Sequence, residues 1–546
     1  MQNTVSLNKN DPLLSISLLT ANRPDTISKC LDSLTSLRES VPSELIIVDT
    51  GCSQEMLNIL KKYTDLIIPF QWNNDFSAAR NAQLSACRGK WFLFIDDDEW
   101  FEDTTEIEDF FLSGKYKEYD FCNYIQRNYH DMSSIRYSDD YVTRMARISE
   151  ILHFESCIHE YMVSDSVKTY SLNSYVHHYG YVYKSEADKY NHYQRNISLL
   201  LKMLDKEPDN IRWYIHTVQE YWAVQQYSMV IDFSSTALRH FESSKDYGIY
   251  ANLGTLYMAV IEAYFNTYNY TKAIDAAKKA LQDDRLLPLA VASINEAITR
   301  SYAMMDDYNS AYSYATTYLN HYKKYSGDIS ILSTQSGFLL DETFSKQYFE
   351  EVCWIIIQRA INHHDLSMLK EYFDKIDFTN DILFTFDPDI IENIVRFMAD
   401  SDFDPWYVKA AELLIRRGDH TEKIVALIQE YEKECDTYFL RLARIFSQIE
   451  FITPYIAYLK VLSFSKQYSE TLKNEDDTAV LDNLLKYICT YSDDYLLYKE
   501  IFWNILLEKK VDISYIFENT NYLTWQRAVD IFCQRYALPH TDNNGD

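Results

Sequence analysis

Four acidic residues, Asp96-Asp97-Asp98-Glu99, follow directly on the apolar run Trp91-Phe92-Leu93-Phe94-Ile95. A short apolar run bounded by polar residues reads as a buried strand. The C-terminal ends of strands in an open α/β sheet are where ligands bind. Two carboxylates one residue apart, such as Asp96 and Asp98, can share one hard divalent cation, and that cation can hold a diphosphate. A solvated acidic turn after a strand is the competing reading of the same residues. Other residues suited to such a ligand precede the tetrad in order. Asp49 closes the run Glu44-Leu45-Ile46-Ile47-Val48, with Gly51 in the turn behind it; a carboxylate there can accept a hydrogen bond from a base or ribose. Arg80 can pair with a carboxylate or phosphate, and Asn81 can fix a loop. Singly, each is more often structural than functional. Their order along one run of chain is the signal.

Placing these residues together requires alternating strands and helices. Residues 14–19 read as a strand. A helix opens at Pro24, where proline suits the first turn, and carries Ile27, Cys30, Leu31, Leu34 and Leu37 at helical spacing. Residues 44–48 are a second strand, 54–63 a helix and 66–70 a third strand. Residues 76–86 form an alanine-rich helix with Gly89 as its stop, and 91–95 are the fourth strand. Repeated βα units predict a parallel sheet covered on both faces. No GxGxxG follows the first strand, which disfavours the usual dinucleotide fold. From 106 to 183 the pattern is mixed, with short strand-like pieces such as Tyr175-Val176-His177-His178.

From Ser185 onward helical periodicity dominates. Tyr227, Tyr270 and Tyr308 open helices at equivalent places, 43 and 38 residues apart. Both spacings exceed the tetratricopeptide period of ~34, so the repeats read as degenerate; an ordinary helical bundle is the alternative. Beyond 326 the helices lose the period. Residues 351–360 and 410–417 are amphipathic with no assignable chemistry, and 541–546 read as a loose polar tail.

Composition narrows the function classes. A chain of 546 residues suits two to four domains, and 47% hydrophobic residues can fill sizeable cores. Asp and Glu number 81 against 52 Lys and Arg, a formal charge of -29. A field of that sign repels nucleic acid and anionic membrane surfaces. The nine cysteines form no CxxC pair, so reduced thiols in a cytosolic protein are expected rather than a zinc site or disulfide framework. There is no secretory pattern at Met1-Gln2-Asn3-Thr4 and no apolar stretch near the ~20 residues of a membrane span. The expectation is a soluble, cytoplasmic protein. Only ten glycines favour helices joined by short polar loops.

The motif order resembles the family-2 glycosyltransferases, which use the GT-A fold. The stretches that carry the resemblance are Ser17-Leu18-Leu19-Thr20-Ala21-Asn22-Arg23-Pro24, Ile47-Val48-Asp49-Thr50-Gly51-Cys52-Ser53, Asn74-Asp75-Phe76-Ser77-Ala78-Ala79-Arg80-Asn81 and Phe94-Ile95-Asp96-Asp97-Asp98-Glu99-Trp100. Ile158-His159-Glu160 and His178-Tyr179-Gly180-Tyr181 resemble the bacterial subgroup with tetratricopeptide repeats behind the catalytic domain. The resemblance covers roughly residues 12–325. Cys52 departs from it, standing where the family has a serine-rich turn.

The resemblance implies a GT-A domain at 1–190 with a mostly parallel, Rossmann-like α/β sheet. Tetratricopeptide-like helical repeats would follow at 191–325, and an all-α region without an assigned role at 326–546. It implies Asp96 and Asp98 as metal-binding aspartates. Asp98 would be the direct ligand to Mn2+ or Mg2+, with Asp96 acting through water or the sugar ring and Asp97 beside them in the donor site. Asp49 would meet the uracil, while Thr20, Asn22 and Arg23 line the nucleotide pocket. Arg80 and Asn81 would lie beside nucleotide and tetrad. His178 would be the third metal ligand, though His177 could take that role. Inversion at the anomeric carbon needs a base; Glu160 is the first choice, His159 its rival, and Glu99 and Asp103 weaker ones. Glu160 as a structural partner of Arg144 or Arg147 is the competing reading.

The implied activity is inverting, metal-dependent transfer of a hexose or N-acetylhexosamine from a UDP-sugar. Helical repeats offer an extended surface for a polypeptide, so a Ser, Thr or Cys side chain of flagellin or another surface protein is the expected acceptor. A homo-oligomer through the repeats is compatible with this. A glycolipid or polysaccharide precursor is the alternative acceptor, weakened by the lack of an anchor or basic amphipathic helix. A non-catalytic repeat scaffold is an alternative of another class, against which the intact Asp96/Asp98 pair and Arg80-Asn81 stand.

Overall fold

The computed structural model describes residues 12–129, 137–180, 182, 185–335, 337–377, 389–415, 418–434, 436–450, 453–464, 478–491, 504–505 and 509. The polar tail at 541–546, Tyr181 and residues 416–417 lie outside these. The chain divides into two compact units, Met1–Ser244 and Lys245–Asp546.

In the first unit, strands and helices alternate as the sequence predicts: β1 (Leu14–Thr20), α1 (Pro24–Ser33), α2 (Thr35–Ser40), β2 (Ser43–Asp49), α3 (Gln54–Leu60), β3 (Ile67–Pro69), α4 (Phe76–Ser85) and β4 (Trp91–Asp96). Then come β5 (Glu99–Phe101), α5 (Thr105–Leu112), β6 (Phe121–Tyr129), β7 (Tyr137–Arg147), β8 (His153–Glu155), β9 (Tyr161–Val163) and β10 (Thr169–His178). Eight strands make one sheet in the order β3-β2-β1-β4-β7-β6-β10-β5, and β8 and β9 pair separately. β3, β2, β1 and β4 run parallel, as does β10 beside β6; β7 is antiparallel to β4 and β6, and β5 to β10.

The apolar run of β4 is buried on both faces because successive side chains point to opposite sides. Trp91, Leu93 and Ile95 join Leu14, Ile16, Leu18, Ile27, Leu31 and Phe110 in the core shared with α1 and α5. Phe92 and Phe94 face the other way and pack on Phe154 of β8 and Leu84 of α4.

Three local expectations are corrected. The first helix is two: Leu34, at φ −91° and ψ −2°, closes α1 and opens α2, while the apolar spacing runs on through the break. Gly89 is not the stop of α4, which ends at Ser85 with Ala86 as its cap. Its hydrogen is needed instead where β1 passes, since a Cβ there would lie 2.7 Å from the Ser15 backbone nitrogen. The mixed stretch from 106 holds three long strands, β6, β7 and β10. Their polar residues Asn123, Gln126, Arg127 and Asp139 hide the strand pattern.

Helices α6 (Glu186–Lys206), α7 (Ile211–Ala223) and α8 (Tyr227–His240) belong to the first unit. Leu199, Leu200 and Met203 of α6 and Trp213 of α7 form one apolar cluster with Ile158, and Phe76 and Cys157 pack on it. Compactness therefore groups these helices with the sheet, beyond the boundary expected at 190.

The second unit is helical in every described element: α9 (Tyr247–Asn266), α10 (Tyr270–Ala280), α11 (Pro288–Ala303), α12 (Tyr308–Tyr325), α13 (Ile329–Gln335), α14 (Lys346–Asn362) and α15 (Leu366–Phe373). Six more follow: α16 (Ile390–Asp400), α17 (Trp406–Ile415), α18 (Gly418–Glu434), α19 (Asp436–Phe446), α20 (Pro454–Leu462) and α21 (Thr478–Tyr491).

One turn recurs through the helix pairs of both units. Gln225, Tyr268, Asp306 and His364 all have φ between 52° and 58°. In each case the following N–H reaches back to a carbonyl five residues earlier: Gln226 to Tyr221, Asn269 to Tyr264, Asp307 to Tyr302 and Asp365 to Ala360. This left-handed cap satisfies the carbonyls that a helix end leaves open. The next helix starts one residue later, at Tyr227, Tyr270, Tyr308 and Leu366. The three tyrosines that mark the repeat in sequence are thus the first residues of the second helix of each hairpin. No helix among the described residues is long and apolar enough to cross a membrane.

Candidate active site

Strand register assembles the site. Thr20 lies opposite Asp49 and Leu19 opposite Asp96, so the ends of β1, β2 and β4 finish level with one another. β10 brings His178 opposite Glu99 of β5. The Tyr179 N–H donates to the Asp98 carbonyl at 3.5 Å, which ties the end of β10 to the tetrad.

Asp98 and His178 converge. His178 Nε2 lies 3.9 Å from Asp98 Oδ1, and its Nδ1 meets Asn128 Oδ1 at 2.6 Å, fixing the ring. Gly180 passes close beside both side chains. A Cβ there would sit 2.3 Å from His178 Nε2 and 3.3 Å from Asp98 Oδ2. An oxygen and an imidazole nitrogen 3.9 Å apart are a donor pair that fits a divalent cation such as Mn2+. Among the described residues, no group of three or more His, Cys, Asp or Glu is arranged to hold a metal by itself. Arg23, half exposed, bridges the acids: Nη1 donates to Asp98 Oδ2 and Nε lies 3.4 Å from Asp97 Oδ1.

Asp97 is buried and locally bound. Thr20 Oγ1 donates to its carboxylate at 2.7 Å and Thr26 Oγ1 to its carbonyl at 2.7 Å. Burial outweighs Arg23 and Thr20 and, with Asp98 and Asp96 adding repulsion, pushes the Asp97 carboxyl up to about 6. Thr20 thus serves the tetrad as well as the end of β1. Glu99 is wholly buried. It accepts from Gln126, from Arg144 at 3.1 Å and from the Asp96 N–H at 3.1 Å, which makes it a structural acid. Asp103 accepts from Thr105 at the start of α5.

Arg80, 3% exposed, joins the two sides of the site. Its Nη2 lies 2.5 Å from Asp96 Oδ1 and its Nε 3.0 Å from Glu160 Oε1. The partner of Glu160 is therefore Arg80 and neither Arg144 nor Arg147; Arg147 donates instead to the carbonyls of Tyr116, Lys117 and Tyr119. Arg144 Nη2 lies 3.1 Å from Asp96 Oδ2, a contact the sequence reading missed. Burial alone would raise the Asp96 carboxyl, but Arg80 and Arg144 hold it well below the usual carboxylate range.

Three other expected residues are engaged locally. Asp49 Oδ1 accepts the N–H groups of Gly51 and Cys52 at 2.9 and 2.7 Å, so it builds its own turn. Asn22 Oδ1 accepts from Ser53 Oγ at 2.9 Å, linking the ends of β1 and β2. Asn81 clamps the Phe154 backbone, donating to its carbonyl at 2.9 Å and accepting its N–H at 2.8 Å. His159 turns away from the tetrad. Its ring stacks on His216 of α7 at 3.8 Å, and Arg212 donates to its carbonyl at 2.8 Å. Burial, then His216, pulls its imidazole down to about 3, far too low for efficient general-base work near neutrality. His177 lies between Tyr129, whose hydroxyl meets its Nδ1 at 2.8 Å, and Glu102, 3.1 Å from its Nε2. His178 is the histidine that faces Asp98.

Part of the chain is similar in sequence to known proteins. Residues 15–151 match the family model "Glycosyl transferase family 2". The SPbeta prophage-derived glycosyltransferase SunS of Bacillus subtilis (strain 168) is 24% identical over 240 residues, which cover 43% of this chain and 55% of SunS. The chain thus spans about half the length of that relative. A TPR repeat-containing protein of Synechococcus elongatus is 31% identical over 86 residues, 16% of this chain and 20% of that protein. The crystal structure of S. aureus TarS 1-349 aligns over 56% of this chain and 91% of its own, at 12% identity and a TM-score of 0.26. Residues 15–151 are a family-2 glycosyl transferase domain, carried in this chain ahead of helical hairpins.

Proposed function

We propose that the chain is an inverting, metal-dependent glycosyltransferase that moves a hexose or N-acetylhexosamine from a UDP-sugar to a Ser, Thr or Cys side chain of a protein. The observation that carries this is the meeting of Asp98 and His178 over Gly180 at the C-terminal end of β4. Those two residues would hold Mn2+ or Mg2+, and the bound cation would neutralise a departing diphosphate. Asp49, Asn22 and Arg23 lie on the ends of β1 and β2 or just beyond them, where a nucleotide would seat. Glu160 would take the acceptor proton. Its carboxylate is fixed by Arg80 Nε, so base and donor-side Asp96 share one guanidinium. The long helical region supports a polypeptide acceptor through its extended surface.

Donor hydrolysis tests the reading. Purified protein with UDP-sugars and Mn2+ is expected to release UDP slowly, and Asp98→Ala to abolish the release. Equal behaviour of wild type and variant would leave a repeat scaffold without catalysis. Mass spectrometry of co-expressed surface proteins, with and without Asp98→Ala, would identify sugar and acceptor from an Asp98-dependent mass increment.

A further inference from the structure

Asp96 is held from both sides. Arg80 reaches one carboxylate oxygen and Arg144 the other. Strand register explains the second contact. β7 runs antiparallel to β4 with Leu93 opposite Met145, so Arg144, one residue earlier on β7, comes level with Phe94. Its guanidinium carbon lies 4.7 Å from the Phe94 ring centroid, and that of Arg80 lies 4.5 Å from the same ring. Two like charges thus share one aromatic ring and one carboxylate. Each continues outward to a further acid, Arg80 to Glu160 at 3.0 Å and Arg144 to Glu99 at 3.1 Å. The result is an unbroken chain, Glu160–Arg80–Asp96–Arg144–Glu99.

Fold stability alone does not call for this chain. Burying charges is costly, and well-packed apolar residues of similar volume often serve as well or better. Its placement gives it another use. Asp96 stands two residues from Asp98, and the far end of the chain is the candidate base. Both oxygens of Asp96 meet guanidiniums, whereas Asp98, paired with Arg23 through Oδ2, has its Oδ1 3.9 Å from His178 Nε2.

We propose that Arg144 is a positioning residue for the transfer. By holding the second oxygen of Asp96 it keeps Asp96 off the cation, and it fixes Arg80, and through Arg80 the Glu160 carboxylate, against the donor. The assignment rests on the transferase reading above.

The test uses the full chain and two measurements. Calorimetric titration with Mn2+ and UDP gives affinity and the number of competent sites; UDP-sugar hydrolysis gives turnover per site. Arg144→Met is expected to keep manganese–UDP affinity within about threefold while turnover per site falls about thirtyfold, since misplacement costs the chemical step rather than ground-state binding. Arg144→Lys should recover less than about a third of the loss, because lysine lacks the planar guanidinium that lies over Phe94 while its Nη2 meets both Asp96 and Glu99. Asp96→Asn should bind manganese–UDP within about threefold of wild type, and Asp98→Asn more than about tenfold more weakly. If Arg144→Met merely lowers the number of competent sites and leaves turnover per site unchanged, the residue is structural and the proposal fails. Equal loss of manganese affinity in Asp96→Asn and Asp98→Asn would overturn it too. Wild-type protein with no manganese–UDP affinity would instead sink the transferase reading, and this assignment with it.

Discussion

Gly180 and Arg23 decide what can occupy the space beside Asp98. Gly180 lets the backbone pass against the imidazole, because a methyl group there would collide with His178 Nε2. Gly180→Ala must therefore rotate the imidazole away or move the end of β10. Manganese affinity in the presence of UDP should drop at least about tenfold, a typical cost for disturbing a ligand's orientation, with little change in melting temperature. Arg23 acts in the opposite sense. Its guanidinium pairs with Asp98 and Asp97 and so repels a cation. Arg23→Ala should tighten binding of Mn2+ alone by about three- to tenfold at low ionic strength, and the gain should shrink as salt screens it. An unchanged affinity would mean that the cation does not approach Asp98 from the Arg23 side. Of these two residues, Arg23 was legible in sequence because it sits in the motif after β1. The use of Gly180 was not, since the spacing His178-Tyr179-Gly180 does not say which atoms converge. Arg144 lay hidden for a similar reason: its role follows from pairing with β4, and β7 has too polar a face to read as a strand.

Between the sheet and the first helices, contacts of α7 couple that helix to the site. α7 meets the loop bearing Glu160 through the His159–His216 stack and the Arg212 bond to the His159 carbonyl. Burial first, then neighbouring positive charge, holds the two imidazoles down to about 3 and about 4. A histidine whose folded value lies below its free value of about 6.5 resists protonation in the folded state. Its effect is absent above about pH 7 and grows as a loss of stability while pH falls toward the folded value, by at most about 1.4 kcal/mol per pH unit per group. Asp97, its carboxyl pushed up to about 6, acts in the opposite sense over part of this range, so the two histidines together should leave a net fall in the first unit's melting temperature from pH 6.5 to 4. His216→Phe, which keeps a stacking ring, should remove at least about half of that slope. A slope unchanged by the substitution would place the acid sensitivity elsewhere.

The helical hairpins carry their own prediction. Gln225 and Tyr268 adopt φ of 57° and 58°, and both are exposed. Left-handed backbone costs a side-chain-bearing residue about 1–2 kcal/mol, against the roughly 0.5–1 kcal/mol entropic penalty of glycine. Gln225→Gly and Tyr268→Gly should each stabilise by about 0.5 kcal/mol in denaturant titration. The tyrosines opening each hairpin's second helix were visible in sequence as a period. The turn before them was not, because four different residue types, none of them glycine, fill the same backbone position.

Across the whole chain, the division at 244 bears on what the parts do. Cutting at 190 would strip Leu199, Leu200, Met203 and Trp213 from the cluster that buries Ile158, two residues before Glu160. It would also remove His216 and Arg212, which hold the His159 backbone and ring. Each large apolar side chain taken from such a cluster costs about 2–5 kcal/mol, a large part of the 5–15 kcal/mol that stabilises an ordinary domain. A chain ending at 190 should fail to hold Glu160 in place, and its donor hydrolysis should be lost along with transfer. A chain ending at 244 keeps every contact named around Asp96, Asp98, Arg80, Arg144 and Glu160. It should release UDP from UDP-sugars at about the wild-type rate, within roughly threefold, while transfer to a protein acceptor disappears with the hairpins that would bind it. Full transfer by residues 1–244 would remove the second unit from acceptor recognition. Loss of hydrolysis in that same fragment would mean that the catalytic unit extends past the compact boundary.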